Sequence, residues 1–139
     1  MRTKRVNRYY CDFCPKAGGS AGHMKRHERG CTMNPDRVCG VCGIVEATQR
    51  PIQELIALLP NHLNFQCYGE GHEGYDAALT ITANKKLPRL REAANDCPAC
   101  ILAAIRQAHI PVPMVSDFNW TREMQAVWDA INRLTRHGE

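Results

Sequence analysis

The sequence predicts a mostly α fold carrying small β elements that apolar packing alone does not hold, and three observations predict it. The first is the spacing Cys11-x2-Cys14-x12-His27-x3-Cys31. A C-x-x-C turn puts two thiolates on one metal ion, and a His and a Cys four apart on a helix offer two more donors from one face. The second is a further two C-x-x-C pairs, Cys39/Cys42 and Cys97/Cys100. The third is helical spacing of apolar residues in the second half of the chain, most clearly over 97–108 and 119–136. Soft sulfur and imidazole donors in sets of four suit Zn²⁺. The fold class is therefore mostly α with small zinc-stabilised β elements.

Residues 1–8 (MRTKRVNR) read as a basic arm. Residues 9–31 carry the first ligand pattern, with a helix over about Ser20 to Arg29 that holds His27. With this pattern on the page, Tyr9 to Cys31 resembles the ββα zinc finger in its Cys-Cys-His-Cys variant. Tyr9 stands where that family has an aromatic, and Met24, three before the ligand His, stands where it has Leu. The family's central aromatic falls at Gly18, inside Ala17-Gly18-Gly19-Ser20, so the resemblance implies a finger short of one core side chain and more dependent on its metal. A finger followed by C-x-x-C pairs in a short, basic-headed protein is also similar to small zinc-finger proteins encoded by bacteriophages.

Cys31 to Arg37 is a turn-rich connector, and Asn34-Pro35 disfavours helix there. Val38-Cys39-Gly-Val-Cys42-Gly43 has the form of a zinc knuckle, in which Gly after each Cys eases the turn of backbone N–H groups toward sulfur. Pro51 to Leu59 reads as a short helix with Ile52, Leu55, Ile56 and Leu59 on one side. Residues 61–74 are loop-like. Residues 75–86 fit a helix (Tyr75, Ala78, Leu79, Thr82) or a strand (Leu79, Ile81, Ala83), and Pro88 is expected to open another short helix with Leu90 and Ala94. Cys97-Pro-Ala-Cys100 opens a helix to about Ala108, with Pro98 in its first turn and Ile101, Leu102 and Ile105 facing inward. Ile110-Pro-Val-Pro113 is expected to be extended. The last helix spans about Asn119 to Arg136. Its stripe of Trp120, Met124, Val127, Trp128, Ile131 and Leu134 is expected to pack into the core, with a partner groove as the sharper alternative.

Two ligand sets follow. The first is Cys11, Cys14, His27 and Cys31; a competing set with His23 and His27 leaves too few residues between Cys14 and the first His. The second is Cys39, Cys42, Cys97 and Cys100, although the 54 residues between the pairs exceed the usual ribbon loop of roughly 15–20. A rival uses Cys67 and His72 with Cys39 and Cys42. Four thiolates close the shell and leave no open position for catalysis. Three domains are expected: a basic arm (1–8), the finger (9–34) and a helical zinc-binding domain (35–139) clamped by the second zinc.

At 139 residues and 44% hydrophobic, the chain has enough for a modest core. No run reaches the roughly 18 apolar residues of a membrane span, and the charged N-terminus is no secretory signal. Eight cysteines without that signal favour metal in a reducing cytoplasm over disulfides. Residues 1–37 hold nine Lys and Arg against Asp12, Glu28 and Asp36, a net of +6, which leaves −2 for the rest of a chain whose total is +4. A basic head on a near-neutral body points to a polyanion partner for the head. By the finger resemblance, Ser20, His23 and Arg26 take base-reading positions, while Lys25 and Arg29, with Arg5 and Arg8 of the arm, meet phosphates. No phosphate loop, nucleophile triad or redox βαβ unit is visible. The expected function is thus zinc-dependent binding without catalysis, by a nucleic-acid-associated or regulatory adaptor that meets DNA, RNA or a protein and no membrane or small substrate. The alternative is a structural component of a larger assembly such as a phage particle, and the location is the (host) cytoplasm or the virion.

Overall fold

A computed structural model describes residues 1–60 and 73–137. The chain starts with a hairpin of β1 (Tyr9–Tyr10) and β2 (Ala17–Gly18), antiparallel with Tyr9 opposite Gly18 and Tyr10 opposite Ala17. Helix α1 (Ala21–Gly30) follows. Ser20 caps it, its hydroxyl accepting from the His23 N–H at 3.3 Å. Met24 is its buried residue and packs with Tyr9, Cys11, Cys31 and Met33. These side chains and the ligands make a ββα unit.

At the far end of α1, Asn34 is buried and its side-chain amide donates to the Glu28 carbonyl at 2.8 Å. Its Oδ1 accepts from the Asp36 N–H at 2.8 Å, an Asx turn that reverses the chain. Gln107 donates to the carbonyls of Thr32 (2.8 Å) and Asn34 (3.0 Å), and Arg106 donates to the Thr32 hydroxyl at 3.0 Å. The connector is thereby tied to the helical body.

The body comprises α2 (Gly40–Ile44), α3 (Ile52–Ala57), α4 (Glu73–Ala93), α5 (Pro98–Gln107) and α6 (Trp120–His137). Helix α5 is its centre, and every residue from Pro98 to Ile105 is buried. The expectation of one inner face at Ile101, Leu102 and Ile105 is therefore too narrow. Small residues at 99, 103 and 104 let neighbours close in from the remaining sides. Leu55 from α3 and Leu79, Leu87 and Leu90 from α4 complete the core.

Pro88 does not open a new helix; it lies inside α4. Leu79, Ala83, Leu87, Leu90 and Ala94 are all buried, and their 4-4-3-4 spacing makes one continuous stripe across the proline. Pro88 is exposed, so its missing donor falls on the solvent side, and burial of the stripe offsets it. The same helix settles 75–86 as helical. The segment after α5 is not extended throughout: Pro111 is, but Val112–Met114 forms a 3-10 turn. That turn brings Ile110, Val115 and Phe118 into the core. Asn84 holds it by donating to the Met114 carbonyl at 3.0 Å.

Helix α6 starts with a reciprocal cap: Asn119 Oδ1 accepts from the Arg122 N–H at 2.9 Å, and Glu123 accepts from the Asn119 N–H at 3.0 Å. Its apolar stripe does not pack into the core as expected. Trp120 is 39%, Trp128 44% and Leu134 76% exposed, while Met124, Val127 and Ile131 are half-buried. Nothing among the described residues covers the outer part of this face. The helix is instead anchored by Arg91 of α4, which binds both Glu123 oxygens and the Asp117 carbonyl.

Burial alone raises the Glu123 carboxyl; the Arg91 guanidinium and the Asn119 N–H outweigh it and hold the group below its ordinary value. A depressed folded pKa gives stability that is present above the ordinary carboxylate pKa of about 4.3 and lost as pH falls through the folded one. Both tryptophans of the chain lie on α6, so their fluorescence should report its release on acidification. Glu123→Gln should cost about 1.5–3 kcal/mol, the range for hydrogen bonds to charged groups, and should flatten the acid limb of that signal. An unchanged acid limb would show that the pair does not anchor α6.

Candidate metal centres

The finger centre is built from the β1–β2 turn and the exposed-to-buried edge of α1. The turn places Cys11 and Cys14 together, with the Phe13 N–H donating to Cys11 Sγ at 3.4 Å and the Cys11 N–H to the Lys16 carbonyl at 2.9 Å. Glu28 steadies the turn by accepting from the Asp12 N–H at 3.0 Å. Across from it, His27 and Cys31 project one helical turn apart. His27 Nε2 lies 3.2 Å from Cys14 Sγ. The ligand atoms of Cys11, Cys14, His27 and Cys31 all lie within 4.8 Å of one another. His23 takes no part: it is exposed, and its Nδ1 faces Arg26 at 2.9 Å. The competing His23/His27 set is thus set aside.

At the fingertip, Gly18 has open space where a side chain would stand. A cavity of about 320 Å³ lies there, bounded by Gly18, Ser20, Met24 and His27.

The second centre joins two helix N-termini. Cys39 caps α2 and Cys97 caps α5, so each C-x-x-C pair straddles the first turn of a helix. The Cys42 N–H donates to Cys39 Sγ at 3.4 Å, as a knuckle requires. The glycines are not what permits it: a side chain at Gly40 or Gly43 would meet nothing within 4 Å, and neither has a left-handed backbone. Pairing is across the helices, with Cys39 and Cys97 sulfurs 3.6 Å apart and Cys42 and Cys100 sulfurs also 3.6 Å apart. Tetrahedral Zn²⁺ with bonds near 2.3 Å sets its sulfurs about 3.8 Å apart, so the four thiols already outline the shell. All four are buried. Among the described residues every cysteine is free of disulfides. The two clusters fit two zinc ions. Cys67 and His72, the rival ligands, lie outside the described residues, as does most of the predicted 61–74 loop.

Arg37 is a residue that sequence reasoning missed. It is 6% exposed, its Nη1 donates to Cys100 Sγ at 3.6 Å, and its Nε has no partner. A buried cation beside four thiolates offsets part of the net −2 charge of a tetrathiolate zinc. Gln49 holds the segment that carries it, donating to the Arg37 carbonyl at 2.8 Å and accepting from the Cys39 N–H. The available signal was an arginine two residues ahead of a C-x-x-C pair.

Crowding sets the protonation of the metal-free thiols. Hydrogen bonds from Cys100 and Cys97, with the charge of Arg37, hold Cys39 far below its usual range. Burial and the nearby charges of Cys97 and Cys39 push Cys42 up to about 12. Sharing with Cys39 and Cys97, together with burial, drives Cys100 up. In the finger, burial leads the rise of Cys31 to about 11. Thiols that burial keeps protonated without metal, such as Cys42 and Cys31, must release their protons on binding, so zinc affinity weakens as pH falls.

The side chains expected to meet a nucleic acid differ in exposure. Lys25, Arg26 and Arg29 are exposed on α1, and Arg5 and Arg8 are exposed on the arm. Ser20 is half-buried, and its hydroxyl is engaged in the helix cap. No described helix is long and apolar enough to cross a membrane. The chain matches no family model, no curated protein and no solved structure.

Proposed function

We propose that the chain is a zinc-dependent nucleic-acid-associated or regulatory adaptor that binds without catalysing. The observation that carries this reading is the row of exposed cations on the metal-held helix, Lys25, Arg26 and Arg29, beside the exposed Arg5 and Arg8. Each centre offers four protein ligands, which suits structural zinc and leaves no position for a reacting water. The finger is a separately ligated unit (9–34) that presents the charge, and the helical part (35–139) is the scaffold behind it.

A polyanion held by these side chains should bind with a steep salt dependence, about 0.9 log units per log unit of salt for each duplex phosphate neutralised. Lys25→Glu with Arg29→Glu should weaken all sequences alike. Arg26→Ala should change sequence preference if α1 lies in the major groove. Gel shifts and salt titrations measure this; no shift with DNA or RNA at low salt would defeat it. A second reading has its own support in the uncovered stripe of α6. Two exposed tryptophans and Leu134 on one face suit a protein partner, as in a component of a larger assembly such as a phage particle.

A further inference from the structure

The finger and the body enclose a cavity of about 430 Å³, within the range of small-ligand sites. Thr32 lines it from the connector next to the finger, Arg37 from further along that connector, Leu102 and Arg106 from α5, Val112 from the 3-10 turn, and Trp120 from the start of α6. The wall chemistry is specific. Leu102 is buried and Val112 half-buried, giving an apolar floor. Trp120 is 39% exposed, so part of its indole is open to a ligand. Arg106 is exposed and uses one donor on Thr32, which leaves further N–H groups of a five-donor guanidinium free. Cys31 and His27 also line it, but these two are ligands of the first centre and the Arg37 charge is engaged with the thiolates of the second, so Arg106 is the cation left for a ligand. No acidic residue lines the cavity, whereas the neighbouring cavity of about 340 Å³ beside Arg91 includes Asp96 and Glu123.

A flat aromatic, an apolar floor and an exposed arginine without a carboxylate fit a planar ring that carries a phosphate. We propose that this cleft takes one unpaired nucleotide of a single-stranded nucleic acid, its base stacked on Trp120 and its phosphate held by Arg106. Stacking on an aromatic side chain with a guanidinium on the backbone is how single strands are gripped without regard to sequence. A base inside a duplex is already stacked and paired, and does not enter such a cleft. Gly30 also lines the cavity, directly after the exposed Arg29, so flanking phosphates run onto the basic face of α1. This inference rests on the nucleic-acid reading above and adds to it a strand state and a site.

The test uses the full zinc-loaded chain. Trp128→Phe leaves Trp120 as the sole tryptophan. Short single-stranded RNA and DNA, a matched duplex and inorganic phosphate are titrated against its emission. Single strands should quench Trp120; the duplex and phosphate should not at equal concentration. In the parent chain, with a labelled strand read by anisotropy, Trp120→Leu and Arg106→Ala should each weaken binding about tenfold or more, and Trp120→Phe should retain it. Two zinc equivalents in each variant show that it is folded. The RNA and DNA arms report which sugar is preferred. Binding that is lost with Lys25→Glu and Arg29→Glu but untouched by Trp120→Leu and Arg106→Ala overturns the cleft and leaves the nucleic-acid reading standing. Phosphate quenching equal to that of a strand also overturns it. Absence of binding to any nucleic acid sinks both.

Discussion

Cys97→Ser is expected to release one of two zinc ions and unfold the helical body, whereas His27→Ala releases the other and leaves the body folded. The difference follows from what each centre joins. The finger centre closes a short stretch, 11–31, whose own core is Met24 with Cys11, Cys31 and half-buried neighbours. The second centre ties α2 to α5, segments 58 residues apart at Cys39 and Cys97, and its four sulfurs belong to the main core. Opening it leaves three buried thiols around a void and frees a long loop, which raises the entropy of the unfolded side. Structural zinc contributes about 10–16 kcal/mol in small domains. A chain of this size has a total stability of about 5–15 kcal/mol, so the body has no reserve against that loss. Elemental analysis should fall from two equivalents to one in each variant. Circular dichroism should show a cooperative helical transition in His27→Ala and none in Cys97→Ser. Equal loss of cooperativity in both would mean that finger and body are one folding unit.

The second large effect belongs to Arg37. Its guanidinium faces Cys100 from a buried position, where it lowers the charge that the zinc-thiolate cluster imposes on the core. Arg37→Met keeps the volume but removes the cation and its N–H donors. Loss of such outer-shell partners costs about 10–100-fold in metal affinity, and thiolates that no longer accept N–H hydrogen bonds are better nucleophiles. Chelator competition should therefore show weaker zinc at the second centre only, and alkylation of its cysteines should quicken. Arg37→Lys should recover part of the effect, because an ammonium keeps the positive charge but not the planar guanidinium that reaches Cys100 Sγ. Unaltered zinc affinity in Arg37→Met would make Arg37 a mere filler of space.

The ligand sets were legible because heteroatom spacing is local and metal geometry is strict: Cys11 to Cys31 is read without any tertiary knowledge. Bringing Cys39/Cys42 to Cys97/Cys100 needed only the rule that thiolates come in fours. The start of α5 was legible for the same reason, with Pro98 at its first turn. The rest depended on context. Pro88 is a helix breaker by its own chemistry, and only the shared burial of Leu87 and Leu90 with Leu79 shows that it sits on a water-facing side. The stripe on α6 reveals an apolar face but not what covers it. Several helices end at left-handed residues that are not glycine, namely Glu46, Asn95, Asp96 and His109, so the usual stop signal was absent. Arg37 stands two residues ahead of Cys39, but its role depends on a fold that brings Cys100 of α5 against the connector, which that spacing alone does not show.

The two centres differ in how far solvent reaches them. Cys14 and His27 are half-exposed, while all four sulfurs of the second centre are buried. A chelator or an oxidant therefore attacks the finger long before it reaches the body. When zinc runs short, the basic head loses its shape first, and the scaffold behind it stays standing with its own ion. The protein then has two thresholds instead of one. Between them lies a state with an ordered body and an unshaped head; on the binding role proposed above, that state would release its polyanion and regain it once a single metal ion returns.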